Sequence, residues 1–497
     1  MESPRISIKS IDSKEVIVHY REKHYDHFDI GDAQSTTLLM SGLTFNQDSF
    51  ITSAFKGYGY NVMSLDVPDV ESFNKGKEFG NRGQCNPTYF TVGNLVKYLV
   101  YLRDTINIPT DEIIKKYVFI TAGACGPCRF GSYITEYRKA LRDSGFEGFR
   151  VLVVSQTNGA FQKIGTGNGL KSSATFYLAI IKAIIIGDIV NILGYRIRPY
   201  ELVKGETNQV IANVREIISD AFVHRKSLTK ALKECRELFS KIKVDRSIVK
   251  PKVAIIGEFW AMTTEGDGSY RLQEFLESEG AEVDIQPVTG WLQYLFWQKR
   301  FDASMRADLN GKDKANKGLQ GKFAVLEILK SRVSERLLKS LFYHYSKSIG
   351  LQHYYLSNMD EVAGYAHKYY NNSLRGGEGH MEIGKVILNA IKNKVTMTLS
   401  VKPFGCMPSS GVSDGVQSLV SEIFPNSIFL PIETTGDGKV GVYSRIQMML
   451  FKAKKVAQSE LEENDERNVH LTKCSDALYW PKSTIYATTA ATILRCK

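Results

Sequence analysis

The chain has 497 residues, of which 43% are hydrophobic and 24% are charged. These are the proportions of a folded globular protein, and they exclude a wholly disordered, collagen-like or coiled-coil chain. The length predicts two large domains, or three of about 150 residues each. The formal net charge is +11. Seven cysteines are too few for a fold that disulfide bonds hold together. We therefore expect a protein of a reducing compartment, the cytoplasm.

Neither a membrane nor a nucleic acid is the expected partner. The most apolar segment, residues 174–193, contains Lys182 and Asp188, which favours a buried helix over a membrane-spanning one. The first twenty residues carry scattered charges and lack the apolar core of a signal peptide. Basic residues are spread along the chain, and the densest group, residues 312–322, has the composition of a solvated loop. The positive charge favours an acidic protein or an anionic ligand instead.

One pattern recurs along the chain, in which a short apolar strand leads into a loop of small residues and then an amphipathic segment. Near-continuous apolar strands separated by helical patterns predict parallel sheets covered on both faces. The strands are predicted at residues 37–40, 117–121, 149–155, 252–256, 282–285, 395–401 and 427–431, with a helix at 270–279. The expected fold class is α/β, with two Rossmann-like, doubly wound parallel-sheet domains. They would comprise residues 1–250 and 251–455, followed by a C-terminal extension of residues 456–497.

Four cysteines lie in loops where they could act as metal ligands or as redox-active thiols. Cys125 and Cys128 form a Cys-Gly-Pro-Cys sequence directly after a predicted strand. Such a pair serves either as a thiol–disulfide couple or as two ligands of a metal ion or iron–sulfur cluster. Cys85 and Cys406 also lie in loops punctuated by Gly and Pro, and four thiolates match the ligand count of a [4Fe–4S] cluster. Zinc matches the same count, although a structural zinc site usually has two closely spaced pairs and this chain has one.

Other candidate motifs carry weaker signals. Cys235 lies in a helical pattern, while Cys474 and Cys496 lie in the C-terminal extension, so all three are predicted to be structural. The Gly-rich loop at residues 165–172 is similar to a phosphate loop, but Leu170 interrupts its Gly-Lys-Ser sequence. We therefore expect no ATP hydrolysis by this chain.

Taken together, the motifs resemble the 2-hydroxyacyl-CoA dehydratase / benzoyl-CoA reductase component family. The chain looks most like the dehydratase-like C-terminal region of CoA-substrate-specific enzyme activases. The resemblance covers about residues 36–455, and its motifs follow one another in the same order along the chain. They are residues 76–79, 84–87 around Cys85, 123–131 around Cys125 and Cys128, 198–201, Gly257-Glu258, 377–379, 402–408 around Cys406, and Arg445.

The resemblance implies an oxygen-sensitive protein with an iron–sulfur cluster in the cleft between its two domains. Cys85, Cys125, Cys128 and Cys406 would then hold a [4Fe–4S] cluster, or a double-cubane cluster, as in some relatives. Proteins of this kind receive low-potential electrons from a separate ATP-hydrolysing iron–sulfur activator, and some act on an acyl-CoA. Dehydratases proper have three cysteine ligands and an open iron site. Here Cys406 offers a fourth thiolate. If all four thiolates bind iron, no iron is open to a substrate, which favours electron relay over substrate turnover. A homodimer is a further possibility.

We therefore expect an iron–sulfur redox protein of the 2-hydroxyacyl-CoA dehydratase type. Arg129 would place positive charge beside the cluster, and Glu78, Glu258 and Glu378 are loop carboxylates that could act as acid or base. Two other functions stay open. One is a thiol–disulfide oxidoreductase that uses the Cys-Gly-Pro-Cys pair, and the other is a zinc-stabilised, non-catalytic binding protein that docks through its basic surface.

Overall fold

The computed structural model describes residues 25–124, 128–157, 160–161, 167–170, 173–246, 248–309, 319, 323–374, 377, 379–392, 394–465 and 476–479. Its strands form two separate sheets. They are β1 (Thr37–Met40), β2 (Val62–Ser64), β3 (Tyr117–Ala124), β4 (Arg150–Thr157), β5 (Ala160–Phe161), β6 (Lys252–Gly257), β7 (Glu282–Ile285), β8 (Met397–Pro403) and β9 (Ile428–Thr434).

Helices connect the strands and cover the sheets. In the first half of the chain they are α1 (Ile30–Ser35), α2 (Phe45–Gly57), α3 (Val70–Phe79), α4 (Asn86–Asp104), α5 (Thr110–Lys116), α6 (Tyr133–Asp143), α7 (Ala174–Ile197), α8 (Glu206–Val223) and α9 (Leu228–Lys241). In the second half they are α10 (Phe259–Thr263), α11 (Leu272–Ser278), α12 (Val288–Arg306), α13 (Ala324–Ile349), α14 (Met359–His367), α15 (Gly379–Ile391), α16 (Met407–Gly411), α17 (Ser418–Ile423) and α18 (Lys439–Asp465).

The two sheets share one strand order. The first runs β2-β1-β3-β4-β5, with β1 to β4 parallel and the two-residue β5 antiparallel to β4. The second runs β7-β6-β8-β9 and is parallel throughout. This confirms the α/β fold class and the parallel sheets, and it is consistent with two Rossmann-like units. Each predicted strand is present, whereas β2 and β5 were not predicted.

The shared strand order defines a switch point in each sheet. In the first sheet, β2 pairs with one edge of β1 and the chain then crosses over to add β3 at the other edge of β1. The second sheet repeats this with β6, β7 and β8. The switch points therefore lie between β1 and β3 and between β6 and β8. Ligands of doubly wound sheets bind in the crevice at this point, beyond the carboxyl ends of the strands. The loop that contains Cys128 follows β3, and the loop that contains Cys406 follows β8.

Helix α7 occupies the largest apolar core. It corresponds to the apolar segment of the sequence, and residues 183–197 are all buried. By length and composition alone it is also the one helix of the described chain that could cross a membrane. However, 67% of its most apolar stretch is buried inside the protein, as a core helix requires.

A buried carboxylate on α7 joins the two halves of the chain. Asp188 accepts hydrogen bonds from the backbone N–H groups of Val288 (3.0 Å) and Thr289 (2.6 Å), at the start of α12. It also accepts from the Thr289 hydroxyl (2.6 Å) and from Gln47 Nε2 (2.9 Å). Burial raises the pKa of Asp188 to about 6, although these donors oppose the shift. The first half of the chain thereby caps a helix of the second.

The apolar core does not follow the predicted domain boundary at residue 250. In sequence, all strands of the first sheet precede residue 250 and all strands of the second sheet follow it. However, the core around α7, which belongs to the first half, also contains Phe342 from α13 and Leu478 from near the C-terminus. At the second predicted boundary, residue 455, helix α18 continues without a break into the predicted C-terminal extension. The domain boundaries therefore stay a prediction.

Candidate functional site

Cys85 lies at the N-terminus of helix α4, with its thiol buried. The helix begins here because Pro87 occupies its first turn, where no backbone N–H is needed. The Sγ atom lies 3.2 Å from Thr88 Oγ1 and 3.3 Å from the hydroxyl of Tyr133. Burial raises the pKa of Tyr133 well above its usual value, and the nearby Cys85 and Glu258 add to the shift. This hydroxyl therefore stays protonated and contacts the thiol inside the protein.

Cys406 lies between strand β8 and helix α16, and its thiol is also buried. Its Sγ donates to the Ser409 hydroxyl at 3.3 Å, and Ser409 in turn donates to Glu382 Oε1 at 2.9 Å. Burial raises the pKa of the Cys406 thiol, and the negative charge of Glu258 raises it further. The thiolate form of Cys406 is therefore costly unless a cation compensates its charge.

The Cys85 loop and the Cys406 loop touch through their backbones. The backbone N–H of Asn86 donates to the carbonyl oxygen of Phe404 at 3.0 Å, and Asn86 Nδ2 donates to the carbonyl oxygen of Thr434 at 2.6 Å. A Cβ atom on Gly405 would lie only 3.2 Å from Cys85 Cα. The structure thus brings together two of the predicted cysteine loops, one from each half of the chain.

Cys128 adjoins the same contact from the end of strand β3. It precedes a single turn of 3₁₀ helix at Arg129–Ser132, and its half-buried Sγ accepts from the backbone N–H of Phe130 at 3.5 Å. The neighbouring Arg129 guanidinium donates to the carbonyl oxygen of Gly405. Arg129 therefore connects the Cys128 loop to the Cys406 loop. Cys125 lies outside the described residues.

Glu258 places a partly buried carboxyl group at the switch point of the second sheet. Strand β6 ends at Gly257, which has a φ of +130° and packs so closely on β8 that a Cβ atom would lie 2.0 Å from the Val401 carbonyl oxygen. The Glu258 carboxylate accepts from the backbone N–H groups of Trp260 (3.2 Å) and Ala261 (2.8 Å) at the start of α10. Burial raises its pKa in spite of these bonds. It is the best placed of the predicted loop carboxylates.

The remaining predicted residues lie elsewhere. Glu78 lies in helix α3 and not in a loop as predicted, because the helical segment that begins at Val70 continues to Phe79; its side chain is exposed and pairs with Lys75 at 2.9 Å. Cys235 is buried in α9, where burial raises its pKa to about 12, which agrees with a structural role. The following lie outside the described residues: residues 165–166 and 171–172 of the Gly-rich loop, most of residues 312–322, Glu378, Cys474 and Cys496.

The described side chains do not form a metal site by themselves. Within the described ranges, no group of three or more His, Cys, Asp or Glu side chains is arranged to hold a metal ion. The thiols of Cys85 and Cys406 instead contact hydroxyl groups. Sequence reasoning did not identify Tyr133 or Glu382 as their neighbours. Ser409 could have been found, because it follows Cys406 by three residues at the start of a helix.

Neither a protein-family model nor a curated protein matches the chain.

Proposed function

We propose that the chain is an iron–sulfur redox protein of the 2-hydroxyacyl-CoA dehydratase type. It would take low-potential electrons from an ATP-dependent activator and pass them to a substrate or a partner enzyme. Cys85, Cys125, Cys128 and Cys406 would hold a [4Fe–4S] or double-cubane cluster. The observation that carries the proposal is the backbone contact between the Cys85 and Cys406 loops, which meet from opposite halves of the chain.

The donor chemistry of the described loops fits such a cluster. Cys85, Cys128 and Cys406 each lie directly before a helical turn, in loops that contact one another. Burial raises the pKa of the Cys406 thiol, so a bound cation is what would stabilise its thiolate. The position beyond the carboxyl ends of β3 and β8 is also where doubly wound sheets bind their ligands.

A bound cluster would supply one-electron transfer. The chain's own contribution is to hold the thiols, to exclude water and to place a hydrogen-bond donor near sulfur. The Tyr133 hydroxyl is buried beside Cys85 and can donate to its sulfur. The Ser409 hydroxyl, which lies beside Cys406, donates to Glu382. Hydrogen bonds to ligand sulfur and burial both set the reduction potential of iron–sulfur clusters.

The proposal is tested by anaerobic reconstitution of the full chain and of single cysteine variants. Cys85→Ala and Cys406→Ala are expected to bind less iron and to lose the visible absorption and the EPR signal of the reduced cluster. Cys235→Ala is the matched control, since Cys235 is also a buried thiol but lies in α9, away from the contact. It should bind as much iron as the unmodified chain.

Three outcomes would overturn the proposal. The first is a colourless chain that holds no iron after reconstitution. The second is one zinc ion per chain, whose removal unfolds the protein, as expected for a structural zinc site. The third is metal-free reduction of insulin disulfides that depends on Cys125 and Cys128, as expected for a thiol–disulfide oxidoreductase.

A further inference from the structure

The first half of helix α13 packs with polar side chains inward and apolar side chains outward, whereas its second half buries Leu338 and Phe342. Side chains of one face are buried although they are polar, and those of the opposite face are exposed although they are apolar. The buried set is Glu327 (8% exposed), Ser331 (2%) and Glu335 (7%). The exposed set is Leu326 (46%), Leu329 (55%), Val333 (45%) and Leu337 (61%). A surface helix normally has the reverse arrangement.

Ion pairs with the adjacent helix α12 fix this orientation. Arg300 Nη1 lies 2.7 Å from Glu335 Oε2 in a buried pair, and the partly exposed Lys299 places its Nζ 3.3 Å from Glu327 Oε2. Rotating α13 to bury Leu329 and Leu337 would separate both pairs and leave the buried Arg300 with Asp360 but without Glu335. The apolar face is therefore held outward by the fold, and a contiguous exposed apolar surface indicates a binding surface.

The exposed set forms a narrow stripe along the helix axis. Leu326, Leu329, Val333 and Leu337 are separated by three, four and four residues, so they lie on one side of the helix. From the first to the last the stripe extends for about 16 Å, at 1.5 Å per residue. Val325, which is 79% exposed, lies beside the stripe and widens it on one side. An apolar seam of this kind is typical of packing against another helix.

Positive charge borders the stripe. Lys330, Arg332 and Arg336 are exposed, and the two acidic residues of α13 are the buried Glu327 and Glu335. Among the described residues, neither Arg332 nor Arg336 has an ion-pair partner. Two copies of this stripe packed together would bring like charges close, which opposes self-association. A partner with acidic residues beside its apolar seam would neutralise them.

We propose that the α13 stripe, defined as Leu326, Leu329, Val333 and Leu337, binds an acidic amphipathic helix of another protein. Apolar side chains of that helix would cover the stripe, and its Asp and Glu side chains would pair with Arg332 and Arg336. This inference is independent of the iron–sulfur proposal, because no cysteine of the candidate site takes part in it.

Two designed peptides test the proposal on the full chain. Each is a helix of about three heptads with Leu at the seam positions, and the flanking positions are Glu in one peptide and Lys in the other. Fluorescence anisotropy should show that the Glu peptide binds at least about tenfold more tightly than the Lys peptide. The double variant L329S/V333S should lose most of this binding. Arg336→Glu should reduce the ratio of the affinity for the Glu peptide to the affinity for the Lys peptide.

Val440→Ser is the control, because Val440 is an even more exposed apolar residue (80%) but lies on α18, and it should leave binding unchanged. Circular dichroism checks that each variant remains folded. Equal binding of both peptides would overturn the proposal. So would a dimer of the unmodified chain that L329S/V333S dissociates, since the occupant would then be a second copy. The proposal would also be overturned if the unmodified chain bound phosphatidylserine vesicles and L329S/V333S did not, since the stripe would then bind a membrane surface.

Discussion

A Cβ atom on Gly405 would lie 3.2 Å from the Cα atom of Cys85, although 320 residues separate the two positions. The loop after strand β8 therefore rests directly on the loop that begins helix α4. Gly405 has a φ of +76°, a conformation that residues with a side chain rarely adopt. Close approach and backbone conformation thus both require glycine at the point where the two cysteine loops meet.

Substituting Gly405 should weaken this contact. Gly405→Ala places a methyl group between the loops and forces a left-handed conformation, which costs about 1–2 kcal/mol before any displacement of the Cys85 loop. We expect a lower free energy of unfolding in urea and weaker retention of iron. Gly364→Ala is the control, because Gly364 lies within α14 and has no heavy atom within 4 Å of its Cβ position. It should be neutral or stabilising, by up to about 1 kcal/mol. Equal destabilisation by both changes would contradict the account.

Asp188 should make stability depend on pH. Burial raises its pKa from 3.8 to about 6, so the folded chain binds a proton between about pH 4 and pH 6 while the unfolded chain has released it. Stability should therefore rise as the pH falls through this window, and the shift corresponds to about 3 kcal/mol at most. Urea unfolding of the chain and of Asp188→Asn at several pH values measures the effect.

The Asn variant removes this titration, so the difference in unfolding free energy between the two proteins isolates Asp188. Across the window the unmodified chain should gain stability relative to the variant on acidification. A constant difference would show that Asp188 has the same pKa in the folded and the unfolded chain.

Tyr133 should influence any cluster that Cys85 binds. Its hydroxyl lies 3.3 Å from Cys85 Sγ, and removing a hydrogen bond to a ligand sulfur should lower the reduction potential. Tyr133→Phe is compared with Tyr137→Phe, which removes a buried hydroxyl that interacts with Thr91 and Thr121 instead. Each change should cost about 1 kcal/mol of stability, the usual contribution of one hydrogen bond. Potentiometric titration should show a shift in the Tyr133 variant alone, and identical potentials in both variants would exclude the interaction.

The sequence predicted the parallel sheets because their strands are short, apolar and well separated. Strands β6 and β7 match the predicted residues closely. Strand β2 has only three residues, too few to give a periodic signal. The predicted helix at 270–279 begins only at Leu272, because Tyr270 and Arg271 adopt left-handed conformations. The Tyr270 hydroxyl accepts from the backbone N–H of Thr435 at 2.6 Å, a tertiary contact that local sequence does not encode.

The candidate site could be predicted only in part. The cysteine loops were recognisable because each contains Gly or Pro, and two of them follow strands. Their mutual contact could not be predicted, since it depends on how the two halves of the chain pack against one another. Tyr133 lies 48 residues from Cys85 and has no motif of its own, so only the folded chain connects them.

Iron and acid-labile sulfide, counted per chain after anaerobic purification, show whether the four cysteines hold a cluster. A single [4Fe–4S] cluster predicts about four of each per chain, and a double-cubane cluster predicts about twice as many. Both counts should fall in Cys85→Ala and Cys406→Ala and remain unchanged in Cys235→Ala. A chain that contains neither iron nor sulfide under these conditions would contradict the account.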